Sequence, residues 1–326
     1  MPEAPVWLTE DEVSGLLSLP EAIGVLAEAY RLQAAGAAAT MRRAHLRDGD
    51  AILHAVGGSI AGAGVAGAKT WLHTPGGASP VLVLFALESG VVVGVVEAFA
   101  LGQLRTAGTS GLATRLLARE DATTLALVGT GRQAFAQAQA VAAVRRIAQV
   151  RVAGRDPERR AAMAARLRDE LEVDSVEFAD VAAAVEGADV VTTITRAAEP
   201  VLTGDALSPG THVNAVGAIV PTRRELDETT VAQADLVVAD SVAQARDDAG
   251  ELRAAADAGR LDWSSVRGLD EVVDRPLEVL RSREDITLFK AVGVGLSDVA
   301  LGVELLRRAH ACGAGQPLRT PVLTHD

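Results

Sequence analysis

Residues 123–144 read TTLALVGTGRQAFAQAQAVAAV, an apolar run that passes, through two glycines and an alanine, into a stretch with helical spacing. Gly129, Gly131 and Ala134 fall in the order Gly-x-Gly-x-x-Ala. Between a strand and a helix, the first glycine permits a tight turn and the second lets backbone approach a pyrophosphate. The small third residue lets helix and strand pack closely. Ordinary strand-to-helix turns share this spacing, so its meaning rests on what flanks it.

The flanks alternate. Apolar runs TTLALVG, AQVRVAG, ADVVTTIT, THVNAVG and ADLVVAD read as buried parallel strands, with helical stretches such as RQAFAQAQAVAAVRRI and PERRAAMAARLRDEL between them. From about residue 115 the expected fold is therefore an α/β, Rossmann-type doubly wound parallel sheet. The first third has another rhythm. Thr9 with Glu12 makes a capping box for one helix, and Ser18 caps a second that carries Pro20 in its first turn. Glycine-rich extended pieces follow, AILHAVGGSIAGAGVAGAKTWLH, and helices followed by strands predict an α+β unit. The apolar segment 80–102 has the length of a membrane span, but Glu88, Ser89 and Gly90 break it into a Val-rich hairpin and Glu97 would be costly in lipid.

Composition narrows the partners. With 43 acidic and 31 basic residues the formal charge is −12, which opposes binding to nucleic acid and to anionic membrane surfaces. One cysteine, Cys312, allows no intrachain disulfide and no Cys-based zinc site, and no metal is expected. The start, MPEAPVWLTEDEV, lacks the pattern of a signal peptide, so the expected location is the cytoplasm. Of the basic residues only Lys69 and Lys290 are lysines, which marks two positions where a compact ammonium was kept among arginines.

The glycine loop, Gly129, Thr130, Gly131, Arg132 and Gln133, is the expected cofactor cradle. The next strand ends in Gly154, Arg155 and Asp156, the place from which a dinucleotide ribose is read. An arginine there pairs with a 2′-phosphate, so NADP(H) is the preferred expectation; Asp156 leaves NAD(H) open.

Six motifs in order, LRTAGTS (104–110), VGTGRQA (128–134), ADVVTTIT (188–195), PGTHVNAVGA (209–218), RRELD (223–227) and ITLFKAVGVGLSD (286–298), together resemble the ornithine cyclodeaminase and μ-crystallin family, ketimine reductase-like members in particular. The resemblance implies a substrate and dimerisation domain over residues 1–115, completed by a C-terminal helix within 303–326, with a dinucleotide-binding Rossmann domain inserted at 116–302. It implies a homodimeric oxidoreductase that handles a small amino or imino acid through its C=N group. On the same resemblance Lys69 and Arg105 are the catalytic pair and also bind the substrate carboxylate with Arg43, Arg42 being the neighbouring alternative. Thr195, Val216, Gly217, Gly293 and Leu296 join the cofactor contacts, and Lys290 positions the loop before the final glycines.

One departure bears on the reaction. Cyclodeaminases and alanine dehydrogenases of the family carry an aspartate two residues after the glycine of NAVGA, and here that position is Ile219. Isoleucine neither accepts a proton nor activates water. The expected function is therefore hydride transfer to the C=N of a cyclic imino acid such as Δ1-pyrroline-2-carboxylate or Δ1-piperideine-2-carboxylate. NAD-dependent ornithine cyclodeamination or alanine dehydrogenation, and a non-catalytic crystallin-like binding protein, stand as alternatives. His54 replaces the family's Met before Pro, and His54 and His73 are candidate proton donors.

Overall fold

A computed structural model describes residues 4–274 and 282–319 of the chain. It divides into two compact units, residues 1–105 with 294–326, and residues 106–293.

The first unit is built on a seven-stranded sheet. Its strands are β1 (Val6–Leu8), β2 (Ala38–Asp48), β3 (Ala51–Ile60), β4 (Val65–His73), β5 (Val81–Ala86) and β6 (Val92–Glu97), with a two-residue edge strand, Gln316–Pro317, beside β1. From that edge the order runs β1, β6, β5, β4, β3, β2. All neighbours are antiparallel except β1 and β6. Helices α1 (Glu10–Leu16) and α2 (Leu19–Ala34) start where the capping box and the serine cap predict. The apolar segment 80–102 forms the hairpin β5–β6, with Gly90 at φ +69° in its turn. No described helix is long and apolar enough to cross a membrane.

The glycine-rich composition of β3 and β4 has a packing cause. The C-terminal helix, Gly295–Cys312, lies so close to β3 that a Cβ on Gly295 would stand 2.1 Å from the Gly57 nitrogen. Any larger residue at either position would push helix and sheet apart. The close approach sets the first turn of this helix against the strands that carry Lys69.

The second unit holds an eight-stranded, wholly parallel sheet. Its strands are β7 (Thr124–Val128), β8 (Gln149–Ala153), β9 (Asp174–Phe178), β10 (Val190–Thr193), β11 (His212–Ala215), β12 (Leu236–Ala239), β13 (Arg267–Gly268) and β14 (Thr287–Lys290), ordered β9-β8-β7-β10-β11-β14-β12-β13. Chain order reverses between β7 and β10, which opens the crevice where doubly wound sheets bind ligands. All five strands expected from the apolar runs are present, and all four residues of β10, β11, β12 and β14 are buried. The insertion of β14 between β11 and β12 was not legible beforehand. Nor was helix α3 (Phe99–Leu117), whose residues 107–114 are buried without a break and so show no polar stripe. Helices α4 (Ala134–Ala142) and α5 (Pro157–Leu171) follow β7 and β8.

Candidate active site and cofactor cradle

The crevice of the second unit is shaped by backbone. Gly129 ends β7 at φ +120°, and a Cβ there would meet the Ile194 carbonyl at 2.5 Å, so only glycine closes this turn beside β10. Gly131 is exposed and a Cβ on it would meet no atom within 4 Å, which leaves space for a phosphate against the start of α4. Thr130 faces Gly154, and Arg132 is exposed. The Gln133 amide Oε1 is buried with no hydrogen-bond partner among the described residues. These residues fit a dinucleotide: an open cradle, a helix start and an unengaged amide converge.

The opposite wall is braced by an acid the sequence did not point to. Glu225 is buried and accepts hydrogen bonds from the Thr193 hydroxyl (3.1 Å) and from the backbone N–H groups of Thr195 (2.5 Å), Gly217 (2.6 Å) and Ala218 (3.2 Å). It thereby ties the tips of β10 and β11 together, with Val216 buried between them. Burial pushes the Glu225 carboxyl up, opposed by Lys290 and by its backbone donors. Lys290, fully buried at the end of β14, donates to the Ala218 carbonyl (2.5 Å) and to Glu251 Oε1 (2.7 Å). Gly293 turns at φ +82°, and its N–H donates to Asp240 (2.7 Å). Ile219 lies on the loop after β11 with its side chain exposed.

In the first unit the sheet brings cations together. Lys69 on β4 is 4% exposed, and its Nζ pairs with Asp298 in the first turn of the C-terminal helix. Arg105 reaches the same carboxylate oxygen at 3.5 Å. Asp298 was missed as a site residue, because an acid near a helix start reads as a capping charge and its partner is 229 residues away. Burial, opposed by Asp298 and reinforced by the charges of Arg105 and Arg43, brings the Lys69 ammonium down to about 8. Beside it Trp71 presents its ring 5.5 Å from Nζ, and the His54 ring stacks on Trp71 at 4.7 Å. Burial and the surrounding positive groups hold His54 below its ordinary value. His73 is exposed at the end of β4. Leu296 belongs to this unit and backs onto Gly58. Among the described residues no cluster of His, Cys, Asp or Glu is placed to hold a metal ion.

Comparison with known proteins agrees with this architecture. The profile of the ornithine cyclodeaminase/mu-crystallin family matches residues 3–310. The chain belongs to this family. Within it, a Δ1-pyrroline-2-carboxylate reductase from Bacillus cereus is 32% identical over 237 residues, which is 72% of this chain and 73% of the relative. Two solved structures resemble the whole chain. Thermococcus litoralis Δ1-pyrroline-2-carboxylate reductase, in complex with NADH and L-proline, has a TM-score of 0.91 at 25% identity, covering 96% of this chain and 100% of its own. An archaeal alanine dehydrogenase dimer with bound NAD has a TM-score of 0.90 at 27% identity, covering 97% and 99%.

The expected preference for NADP(H) is corrected by these structures, which hold NADH and NAD. At the end of β8 Arg155 is exposed on the loop that follows the strand. Asp156 is turned away to cap α5, accepting from the N–H groups of Glu158 (3.0 Å) and Arg159 (3.2 Å).

Proposed function

We propose that this protein is an NAD(H)-dependent oxidoreductase that reduces the C=N bond of an imino acid, with cyclic imines of the Δ1-pyrroline-2-carboxylate type as its first candidate substrates. The observation that carries the reading is the buried Lys69–Asp298–Arg105 cluster in a chain with Ile219 where water activation would need a base. Bound NADH supplies the hydride. Arg105 offers a planar fork to the substrate carboxylate, with Arg43 beside it. Lys69, poised near 8, holds a proton on Nζ that it can pass to the imine nitrogen as that atom gains charge. Asp298 keeps Lys69 charged in a site that would otherwise strip its proton. Gly129, Thr130, Gly131 and Gln133 hold the pyrophosphate side, and Thr195, Val216 and Gly217 form the facing wall. Gly293 closes the loop after β14, and Leu296 stays within the proposed cofactor contacts.

The test is NADH oxidation by the purified protein with Δ1-pyrroline-2-carboxylate and Δ1-piperideine-2-carboxylate, each repeated with NADPH. Turnover favouring NADH, lost in Lys69→Ala and Arg105→Ala, is the expected result. Binding of NADH without reduction of any imine would overturn the reading. Amino acid oxidation by a cyclodeaminase-like route is the weaker alternative, since the exposed Ile219 offers no base.

A homodimer is part of the proposal. Strand register places Leu46, Leu53 and Leu72 in one row, with Met41 and Phe85 on the same face, opposite to Lys69; all five side chains are exposed. A contiguous apolar face of this kind is a surface for association, and a second copy of the chain is its natural occupant. Sedimentation as a monomer at micromolar concentration would refute this.

A further inference from the structure

The wall formed by the tips of β10 and β11 rests on a layer of buried charge. Glu225 is fixed from both ends: its backbone carbonyl accepts from the N–H groups of Val201 (2.8 Å) and Leu202 (3.0 Å), and its carboxylate collects Thr193, Thr195, Gly217 and Ala218. A Cβ on Gly217 would stand 2.5 Å from Glu225 Oε1, so the carboxylate lies directly against the backbone of the wall. Behind it stands a second acid. Glu251 lies in the first turn of the helix Gly250–Asp257, and a Cβ on Gly250 would meet the Arg223 carbonyl at 2.2 Å, which presses that helix onto the loop carrying Glu225. Lys290 donates to Glu251 Oε1, while Glu251 Oε2 is buried with no hydrogen-bond partner among the described residues. Asp240, buried where β12 ends, takes the N–H groups of Val292 (3.0 Å) and Gly293 (2.7 Å).

Charge does not balance in this layer. Among the buried described residues of the second unit, Glu225, Asp240 and Glu251 are the carboxylates and Lys290 is the one ammonium. Burial favours the neutral acid for Glu225. Three of its partners are N–H groups, which donate and cannot accept, so they favour the carboxylate. The layer is therefore negative. In a doubly wound sheet the two halves take the two nucleotides, and with the β8 tip reading one ribose, the half over β10 and β11 is left for the nicotinamide. When a hydride leaves a bound dihydronicotinamide for the C=N carbon and a proton goes to nitrogen, the ring left behind is a cation. A negative layer under the wall stabilises that cation and does nothing comparable for the neutral ring of NADH.

We infer that Glu225, backed by Glu251, sets the direction of hydride transfer: its charge favours the oxidised, cationic nicotinamide over the reduced one and so drives the bound cofactor towards giving its hydride up. The inference rests on the reductase reading and assigns the residue that favours reduction. Glu225 acts through the backbone of Thr195 and Gly217, as a positioning residue.

The experiment measures Kd for NAD and for NADH separately, by calorimetry, on the parent protein and on Glu225→Gln. Loss of the charge should raise the ratio of Kd for NAD to Kd for NADH about fivefold or more. A merely structural role would weaken both cofactors together and leave that ratio within about twofold, and this result would overturn the inference. Glu225→Asp, which keeps the charge on a shorter arm, should hold the parent ratio even where both affinities fall. If Glu225→Gln does not fold, Glu251→Gln removes a charge from the same layer without touching the N–H groups that Glu225 collects, and it should move the ratio in the same direction; an unchanged ratio there refutes the inference. Turnover does not enter these measurements. Absence of imine reduction would sink the reductase reading, whereas an unmoved ratio sinks the role given to Glu225 and leaves that reading standing.

Discussion

Replacing Asp298 by Asn isolates the contribution of one buried charge. Lys69 and Asp298 are both nearly inaccessible, and their contact is direct. At an effective dielectric constant of about 20, opposite charges about 4 Å apart attract by about 4 kcal/mol. One pKa unit corresponds to about 1.4 kcal/mol, so losing Asp298 could lower Lys69 by roughly three units. Even a third of that moves it from about 8 to near 7. Arg105 and Arg43 push in the same direction once the carboxylate is gone. If the Lys69 proton is required, kcat/KM for imine reduction falls as pH rises through about 8 in the parent protein. In Asp298→Asn this limb should move down by one unit or more, with activity at pH 7.5 reduced roughly threefold or more as Lys69 loses its proton. The assay is the pH profile of kcat/KM from NADH oxidation, with Lys69→Arg as a cation that cannot titrate in this range. A limb that stays within about 0.3 units of the parent's would refute the role given to Asp298.

Further outcomes follow from other positions. Gly131→Ala adds a methyl group that meets nothing in the free protein, so Tm should hold while Kd for NADH rises about tenfold; equal losses in both would argue against the cradle. Lys290→Met leaves Glu251 buried without its cation and should destabilise by about 3–5 kcal/mol in urea denaturation; a loss below about 1 kcal/mol would contradict the pairing. His212 is fully buried between Thr287 (2.8 Å) and Asn214 (3.2 Å), and burial brings it down to about 3. Its folded pKa lies below the unfolded one, so below about pH 6.5 the unfolded chain takes up the extra proton and stability falls. The slope is up to about 1.4 kcal/mol per pH unit towards pH 3, and His212→Gln should flatten it in acid denaturation.

The correction of the cofactor shows where sequence reading stops. Arg155 and Asp156 stand at the expected strand tip, but a residue's position does not tell which way its side chain is engaged. Asp156 is taken by the first turn of α5, and Arg155 points from an exposed loop. Glu225 was hidden in a different way. RRELD served only as one of the motifs of the family resemblance, with no role for its glutamate, and only the fold turns that side chain inward to collect three backbone N–H groups.

The sequence by itself determined what depends on local order. A capping box and a serine cap placed α1 and α2, a turn signal split the hairpin β5–β6, apolar runs marked β7, β8, β10, β11 and β12, and the glycine spacing marked the turn between β7 and α4. Each is a property of neighbouring residues, set by backbone sterics and by the period of burial. Only the tertiary structure decided what depends on distant residues meeting. It inserted β14 between β11 and β12, pressed Gly295 against Gly57, joined Lys69 to Asp298, and aligned His54 with Trp71 and His45. Strand order, close backbone approach and burial of charge arise from packing between segments far apart in the chain, and no local pattern carries them.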